Sequence, residues 1–78
     1  MNSTYQKALE LDKNGDWNGA HELIQDFNTK QAAWIHAYLH RKEGDDWNAR
    51  YWYDRASKPF YEGSLEKEWQ MLWEAFIM

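Results

Sequence analysis

A Gly-Asp pair occurs twice in this chain, at Gly15-Asp16 and again 29 residues later at Gly44-Asp45. Glycine typically ends a helix, and aspartate typically caps the N-terminus of the next one. Small or apolar residues follow both pairs at matching offsets: Ala20 and Ala49, Ile24 and Tyr53, Phe27 and Ala56. A helix–turn–helix unit that repeats at a period of about 20–50 residues indicates stacked helical hairpins, which bury their apolar faces against one another.

Apolar residues recur at helical spacing in five segments, and no segment alternates apolar and polar residues as a strand does. We expect Asn28 to cap the third helix, either Asp45 or Asp46 to cap the fourth, and Ser64 to start the fifth. The sequence therefore predicts one all-α domain, residues 1–78, with two antiparallel helical hairpins and a C-terminal capping helix, about five helices in all. The first repeat-like unit covers residues 3–28, the second covers 30–59, and the terminal helix covers 64–77.

The core of such a small domain has to come from its aromatic residues. Seventy-eight residues are near the size at which a core alone gives only about 3–5 kcal/mol of net stability. The chain has no cysteine, so disulfides and thiolate metal sites are excluded. Six Trp, five Tyr and three Phe make up 18% of the chain and can fill a generous core.

The charge distribution limits the possible partners. The net charge is −4, and the nine basic residues form no stripe that could contact a phosphate backbone, so we expect no nucleic-acid partner. The first residues lack the pattern of a signal peptide, and no apolar run approaches the roughly 20 residues of a membrane span. We therefore expect a cytoplasmic protein without a membrane partner.

The turns of both units resemble those of tetratricopeptide (TPR) repeats. The first unit matches at Gly15, Asp16, Trp17 and Ala20, and the second at Gly44, Asp45, Ala49, Tyr53, Ala56 and Pro59. The period of 29 is shorter than the usual period of about 34, and Asp46 stands where an aromatic residue is expected. The resemblance implies a helical repeat that works as a protein-interaction module.

The middle third of the chain is also similar to small uncharacterised bacterial proteins. These share a His-x-x-x-His stretch that leads into Glu-Gly-Asp-x-x-Asn-Ala-x-Tyr-Trp-Tyr-x-x-Ala. The matching residues are His36, His40, Glu43, Gly44, Asp45, Asn48, Ala49, Tyr51, Trp52, Tyr53 and Ala56. This resemblance implies a bacterial source and brings no activity with it.

Two histidines one helical turn apart form the best candidate for chemistry. His36 and His40 project from one helix face, and Glu43 could complete a three-ligand half-site for a divalent metal. The stretch lacks the glutamate that serves as base in zinc proteases with an H-E-x-x-H motif. His21 or Asp45 could approach as a further ligand.

Two other interpretations of these histidines remain open. They can be part of the framework, with ring nitrogens bonded to hydroxyls, carboxylates or backbone. Alternatively, they can line a polar ligand pocket, for which the candidate residues are His36, His40, Glu43, Asn48, Tyr51 and Arg55. Adjacent Asp45 and Asp46 are more typical of a helix cap than of an acid/base pair.

The leading functional hypothesis is a protein-interaction module that binds a protein partner or forms a homo-oligomer, without a cofactor or a catalytic residue. Its predicted surface lies between the first and third helices, or on the terminal helix and the loop before it, at Phe60, Tyr61, Trp69, Trp73 and Phe76. The competing hypothesis is a small ligand-binding or metal-binding protein or enzyme, with a divalent metal at His36 and His40.

Overall fold

The computed structural model describes residues 3–76 of the chain, and these residues form five α-helices and no strand. The helices are α1 (Ser3–Lys13), α2 (Trp17–Ile24), α3 (Lys30–Lys42), α4 (Asp46–Arg55) and α5 (Leu65–Phe76). The predicted all-α class is confirmed. Within this range no helix is long and apolar enough to cross a membrane.

The two Gly-Asp pairs form matching turns. Gly15 and Gly44 adopt φ angles of +90° and +88°, a left-handed conformation that glycine accepts without strain. In each turn the aspartate after the glycine caps the following helix. The Asp16 carboxylate accepts a hydrogen bond from an amide of α2 at 2.9 Å, and the Asp45 carboxylate accepts one from an amide of α4 at 3.2 Å.

The start of α3 differs from the prediction by one residue. Thr29, not Asn28, is the N-cap, and its hydroxyl accepts a hydrogen bond from the Ala32 amide at 3.1 Å. The preceding helix ends at Ile24, although the apolar pattern continues to Phe27. Phe27 is placed in the connecting loop, where its ring makes an edge contact with Tyr5 at 5.7 Å.

Consecutive helices pack in two pairs, and α3 has the most central position. Helix α1 packs on α2, α3 packs on α4, and α3 also contacts each of the other helices. Tyr5 at the start of α1 contacts Phe27 beyond the end of α2, so the first pair is antiparallel. Lys58, just after α4, lies 4.1 Å from the ring of Trp34 near the start of α3, so the second pair is antiparallel as well. Every residue of α3 from Ala32 to His40 is buried.

Helix α5 packs across α1 and α3 and is fixed there by a buried carboxylate. Glu68 is fully buried. Its carboxylate accepts hydrogen bonds from the Trp34 indole at 3.1 Å, from Arg41 Nε at 3.1 Å and from the Tyr53 hydroxyl. Arg41 Nη2 also lies 3.1 Å from the same carboxylate. Side chains from α3 and α4 thus converge on one residue of α5.

We predict that Glu68→Gln strongly destabilises the fold. The substitution leaves the largely buried Arg41 without its counter-charge, and such a loss costs on the order of 3–5 kcal/mol. This equals the net stability expected of a domain of this size, so the variant should be mostly unfolded in urea concentrations that leave the parent folded. Glu74→Gln, an exposed change on the same helix, is the control and should shift the free energy of unfolding by less than about 0.5 kcal/mol. Similar urea midpoints for the two variants would contradict the prediction.

Candidate metal centre

All three histidines of the chain lie together between α2 and α3. His21 comes from α2, while His36 and His40 project from α3 one turn apart. Each ring offers one nitrogen, and these three nitrogens lie within 4.8 Å of one another. The structure thus joins the predicted pair with His21.

The imidazoles of this histidine cluster contact one another directly. Nε2 of His21 and Nε2 of His36 are 2.9 Å apart and share a hydrogen bond, so at least one of the two rings is neutral and accepts. The rings of His36 and His40 stack with centroids 4.8 Å apart and an interplanar angle of 20°. A helix spacing of four residues places the two rings one above the other in this way.

Two tryptophans enclose the histidine cluster. Trp52 of α4 stacks on His36 with ring centroids 3.8 Å apart. Trp17 stacks on His21 at 5.0 Å, and its indole N–H donates to the Leu39 carbonyl at 2.7 Å. Each tryptophan ring covers one face of an imidazole, and His36 is buried while His21 is half-buried. Sequence reasoning missed this role, although the four-residue spacing of Trp17 and His21 on one helix could have indicated the first contact.

Glu43 lies behind His40. Nδ1 of His40 is 2.7 Å from Glu43 Oε2, which leaves Nε2 of the same ring free of this contact. A carboxylate bound to one imidazole nitrogen fixes the tautomer and makes the other nitrogen a better ligand. Asp45 also comes close to this pair. Its two carboxylate oxygens accept hydrogen bonds from the backbone amide and the side chain of Asn48, so Asp45 serves as the N-cap of α4.

Burial favours the neutral form of His36 and His21. The pKa of His36 is lowered from 6.5 to about 3, first by burial and then by the positive charge that His21 and His40 can carry. The pKa of His21 is lowered for similar reasons, burial first and His40 second, while Glu43 and Glu22 act against the shift. Neutral imidazoles have a lone pair available for a metal at neutral pH.

The other residues of the predicted polar pocket lie next to groups that border the histidine cluster. Tyr51 is 47% exposed on α4, and Arg55 donates to its hydroxyl at 3.0 Å. Asn48 bonds to Asp45. Among residues 3–76, no hydrogen bond or ring contact joins Asn48, Tyr51 or Arg55 directly to a histidine. Tyr51 and Arg55 instead contact the ring of Trp52, which stacks on His36.

The side chains predicted as an interaction surface are half-buried. All five pack against the hydrophobic core: Phe60, Tyr61, Trp69, Trp73 and Phe76. The large apolar side chains that are exposed within residues 3–76 are Trp47, Tyr51 and Met71. Trp47 is the most accessible of them, with 77% of its surface exposed.

We predict that acid destabilises the metal-free protein partly through His36. Between about pH 3 and 6.5 the unfolded chain binds a proton at His36 that the folded protein does not. The free energy of unfolding therefore loses nothing through His36 above pH 6.5. Below that pH it falls by up to about 1.4 kcal/mol per pH unit.

His36→Phe keeps a ring against Trp52 and removes the titration. Urea unfolding in chelator at several pH values should show a shallower loss of stability below pH 6 for this variant than for the parent. The carboxylates titrate in both proteins, so the difference isolates His36. Parallel pH profiles would show that His36 has no part in the acid sensitivity.

Comparisons with known proteins do not add to the interpretation of the histidine cluster. The chain matches no protein-family model, no curated protein and no solved structure.

Proposed function

We propose that this chain is a small helical metal-binding domain that holds a divalent transition-metal ion, Zn²⁺ first of all, through His21, His36 and His40. The observation that carries the proposal is the convergence of every histidine of the chain on one point between two helices. Imidazole is a preferred ligand of zinc, copper and nickel, whereas calcium and magnesium prefer oxygen.

The spacing of the ring nitrogens is compatible with zinc after small side-chain rotations. Zinc–nitrogen bonds of about 2.0–2.1 Å at tetrahedral angles place two nitrogens about 3.3 Å apart. The hydrogen-bonded nitrogens of His21 and His36, now 2.9 Å apart, have to separate by about 0.4 Å. The more distant nitrogens, within 4.8 Å, have to move closer together. His21 is only half-buried on the shortest helix, so its ring is the one that can adjust.

Three histidines leave the fourth position of a tetrahedral ion open. Water occupies this position in the three-histidine sites of zinc enzymes, and a fourth protein ligand closes it in structural sites. No acidic base stands beside His36 in the sequence, where Ile35 and Ala37 are its neighbours. Metal binding is thus the supported function, and a reaction is not part of the proposal.

The interaction module indicated by the TPR-like sequence pattern stays a prediction, as does a cytoplasmic location. Exposed Trp47, Tyr51 and Arg55 support this second function, because they recur every four residues on the outer side of α4. Trp, Tyr and Arg dominate the binding energy of many protein interfaces. The histidine cluster has the stronger support, since its members already contact one another.

We predict that the purified, metal-free protein binds one equivalent of Zn²⁺ and that His21→Gln, His36→Phe and His40→Gln each weaken this binding at least tenfold. Isothermal titration calorimetry measures the affinity and the stoichiometry, and the visible absorption of bound Co²⁺ reports tetrahedral geometry. At 100 times the dissociation constant, bound metal should stabilise the fold by about 2.7 kcal/mol.

Asp26→Asn is the matched control, because Asp26 is an exposed acid just beyond α2 and outside the histidine cluster. Its zinc affinity should equal that of the parent. Equal zinc affinity of the parent and all three histidine variants, or no binding by the parent, would overturn the proposal.

We further predict that Glu43→Gln lowers zinc affinity about 10-fold to 100-fold without abolishing binding, since it weakens the orientation of His40 and leaves all three ligands in place. Glu22→Gln, an acid on α2 close to His21, should have a much smaller effect. Calorimetry of the two variants in one buffer makes the comparison. Complete loss of binding in Glu43→Gln would instead indicate that Glu43 is a direct ligand.

A further inference from the structure

A groove separate from the histidine cluster lies between α1, α3 and α5. Its volume is about 500 Å³, and its walls include Asp12, Lys13, Tyr38, Lys42 and Trp69. Sites for small molecules typically measure about 300–1,000 Å³ and combine apolar walls with a few fixed polar groups. No histidine lines this groove.

The floor of the groove is a preformed polar cluster. Asp12 is 2% exposed, and its carboxylate accepts hydrogen bonds from the Tyr38 hydroxyl at 2.7 Å and from Lys42 Nζ at 2.9 Å. Burial and the bond to Asp12 raise the pKa of Tyr38, so the phenol keeps its proton and donates it to Asp12. The carboxylate of Asp12 therefore has its counter-charge within the chain and does not require a cationic ligand.

One wall of the groove is a fixed aromatic ring. The indole N–H of Trp69 donates to the Leu9 carbonyl at 2.9 Å, and the ring stacks on Trp73 with centroids 5.1 Å apart. These two contacts determine the orientation of the Trp69 ring before any ligand arrives. Trp73 and the Lys13 ammonium group both lie over this ring, so Trp69 offers another planar ring an edge contact, at little entropic cost.

The unused hydrogen-bonding groups at the groove are mainly cationic donors. Lys42 uses one of its three N–H groups on Asp12. Lys13 lies 4.6 Å from the Trp69 ring centroid, and within residues 3–76 no carboxylate lies close enough to form an ion pair with it. Glu66 is the other carboxylate at the groove, but it is exposed to solvent, where its repulsion of an anion is screened.

We propose that this groove binds a small planar aromatic anion, whose ring packs against Trp69 and whose carboxylate accepts hydrogen bonds from Lys42 and Lys13. The size of the groove, the fixed ring and the two ammonium groups each match one part of such a ligand. The proposal does not depend on metal binding.

The probe is 2-naphthoate, compared with 2-naphthalenemethanol and 2-naphthylmethylamine, which keep the ring and change the charge. In titrations followed by ¹H–¹⁵N NMR, the naphthoate should shift the Trp69 indole N–H signal and leave that of exposed Trp47 in place. The alcohol and the amine should bind at least fivefold more weakly. No shift at millimolar naphthoate, or equal affinity for all three compounds, would overturn the proposal.

Substitutions of exposed residues test how the charges affect naphthoate binding without changing the buried residues at the floor of the groove. Lys13→Glu should weaken naphthoate binding about tenfold, whereas Lys67→Glu, an equal charge change at an exposed position of α5 that does not line the groove, should leave it nearly unchanged. Glu66→Gln should strengthen naphthoate binding about two- to threefold, since it removes a repelling charge.

Two results count against the proposal. Weaker naphthoate binding in Glu66→Gln would mean that the groove selects a cation or a zwitterion. Equal naphthoate binding by Lys13→Glu and Lys67→Glu would mean that the charges play no part. Either result would refute the proposal.

Discussion

The carboxylate of Glu68 is the interaction on which the rest of the structure depends. A charge with no solvent contact is stable only when hydrogen bonds and an opposite charge surround it. Arg41 and Trp34 of α3 and Tyr53 of α4 provide these contacts, so one residue of α5 joins both helices of the second pair. Because Arg41 lies between His40 and Lys42, this one contact also fixes the rotation of α3. His36 and His40 then face α2 and α4, while Tyr38 and Lys42 face the groove beside α5.

Much of the fold could be predicted because local chemistry determines it. Gly15 and Gly44 require turns, and the aspartate after each one satisfies the free amides of the next helix. The prediction was wrong at the start of α3, where Asn28 and Thr29 are adjacent and both suitable as caps. In the structure Thr29 caps the helix and also shares a hydrogen bond with the Tyr5 hydroxyl, a contact across 24 residues of sequence. Local propensity carries no information about such a contact.

The candidate site could be predicted only in part, for a similar reason. The spacing of His36 and His40 guarantees that their rings are neighbours on a helix. The third histidine approaches through the packing of α2 on α3, which depends on the loop between them and on no local pattern. Arg55 was expected in the same pocket because one side of α4 was known to be polar. The sequence does not show which neighbour each side of a helix meets, and Arg55 meets the Tyr51 hydroxyl and the ring of Trp52, which stacks on His36.

The continuous burial of residues 32–40 has a consequence for how an ion would reach the histidines. A helix covered on every side offers no path along its own surface, and Trp52 covers His36 from α4. The remaining approach is from α2, the shortest of the helices, whose eight residues carry half-buried His21. Movement of the His21 side chain, or of α2 itself, would therefore control how fast an ion enters or leaves. The lifetime of a bound ion would then be set by local opening of the protein, and not by the strength of the metal–nitrogen bonds alone.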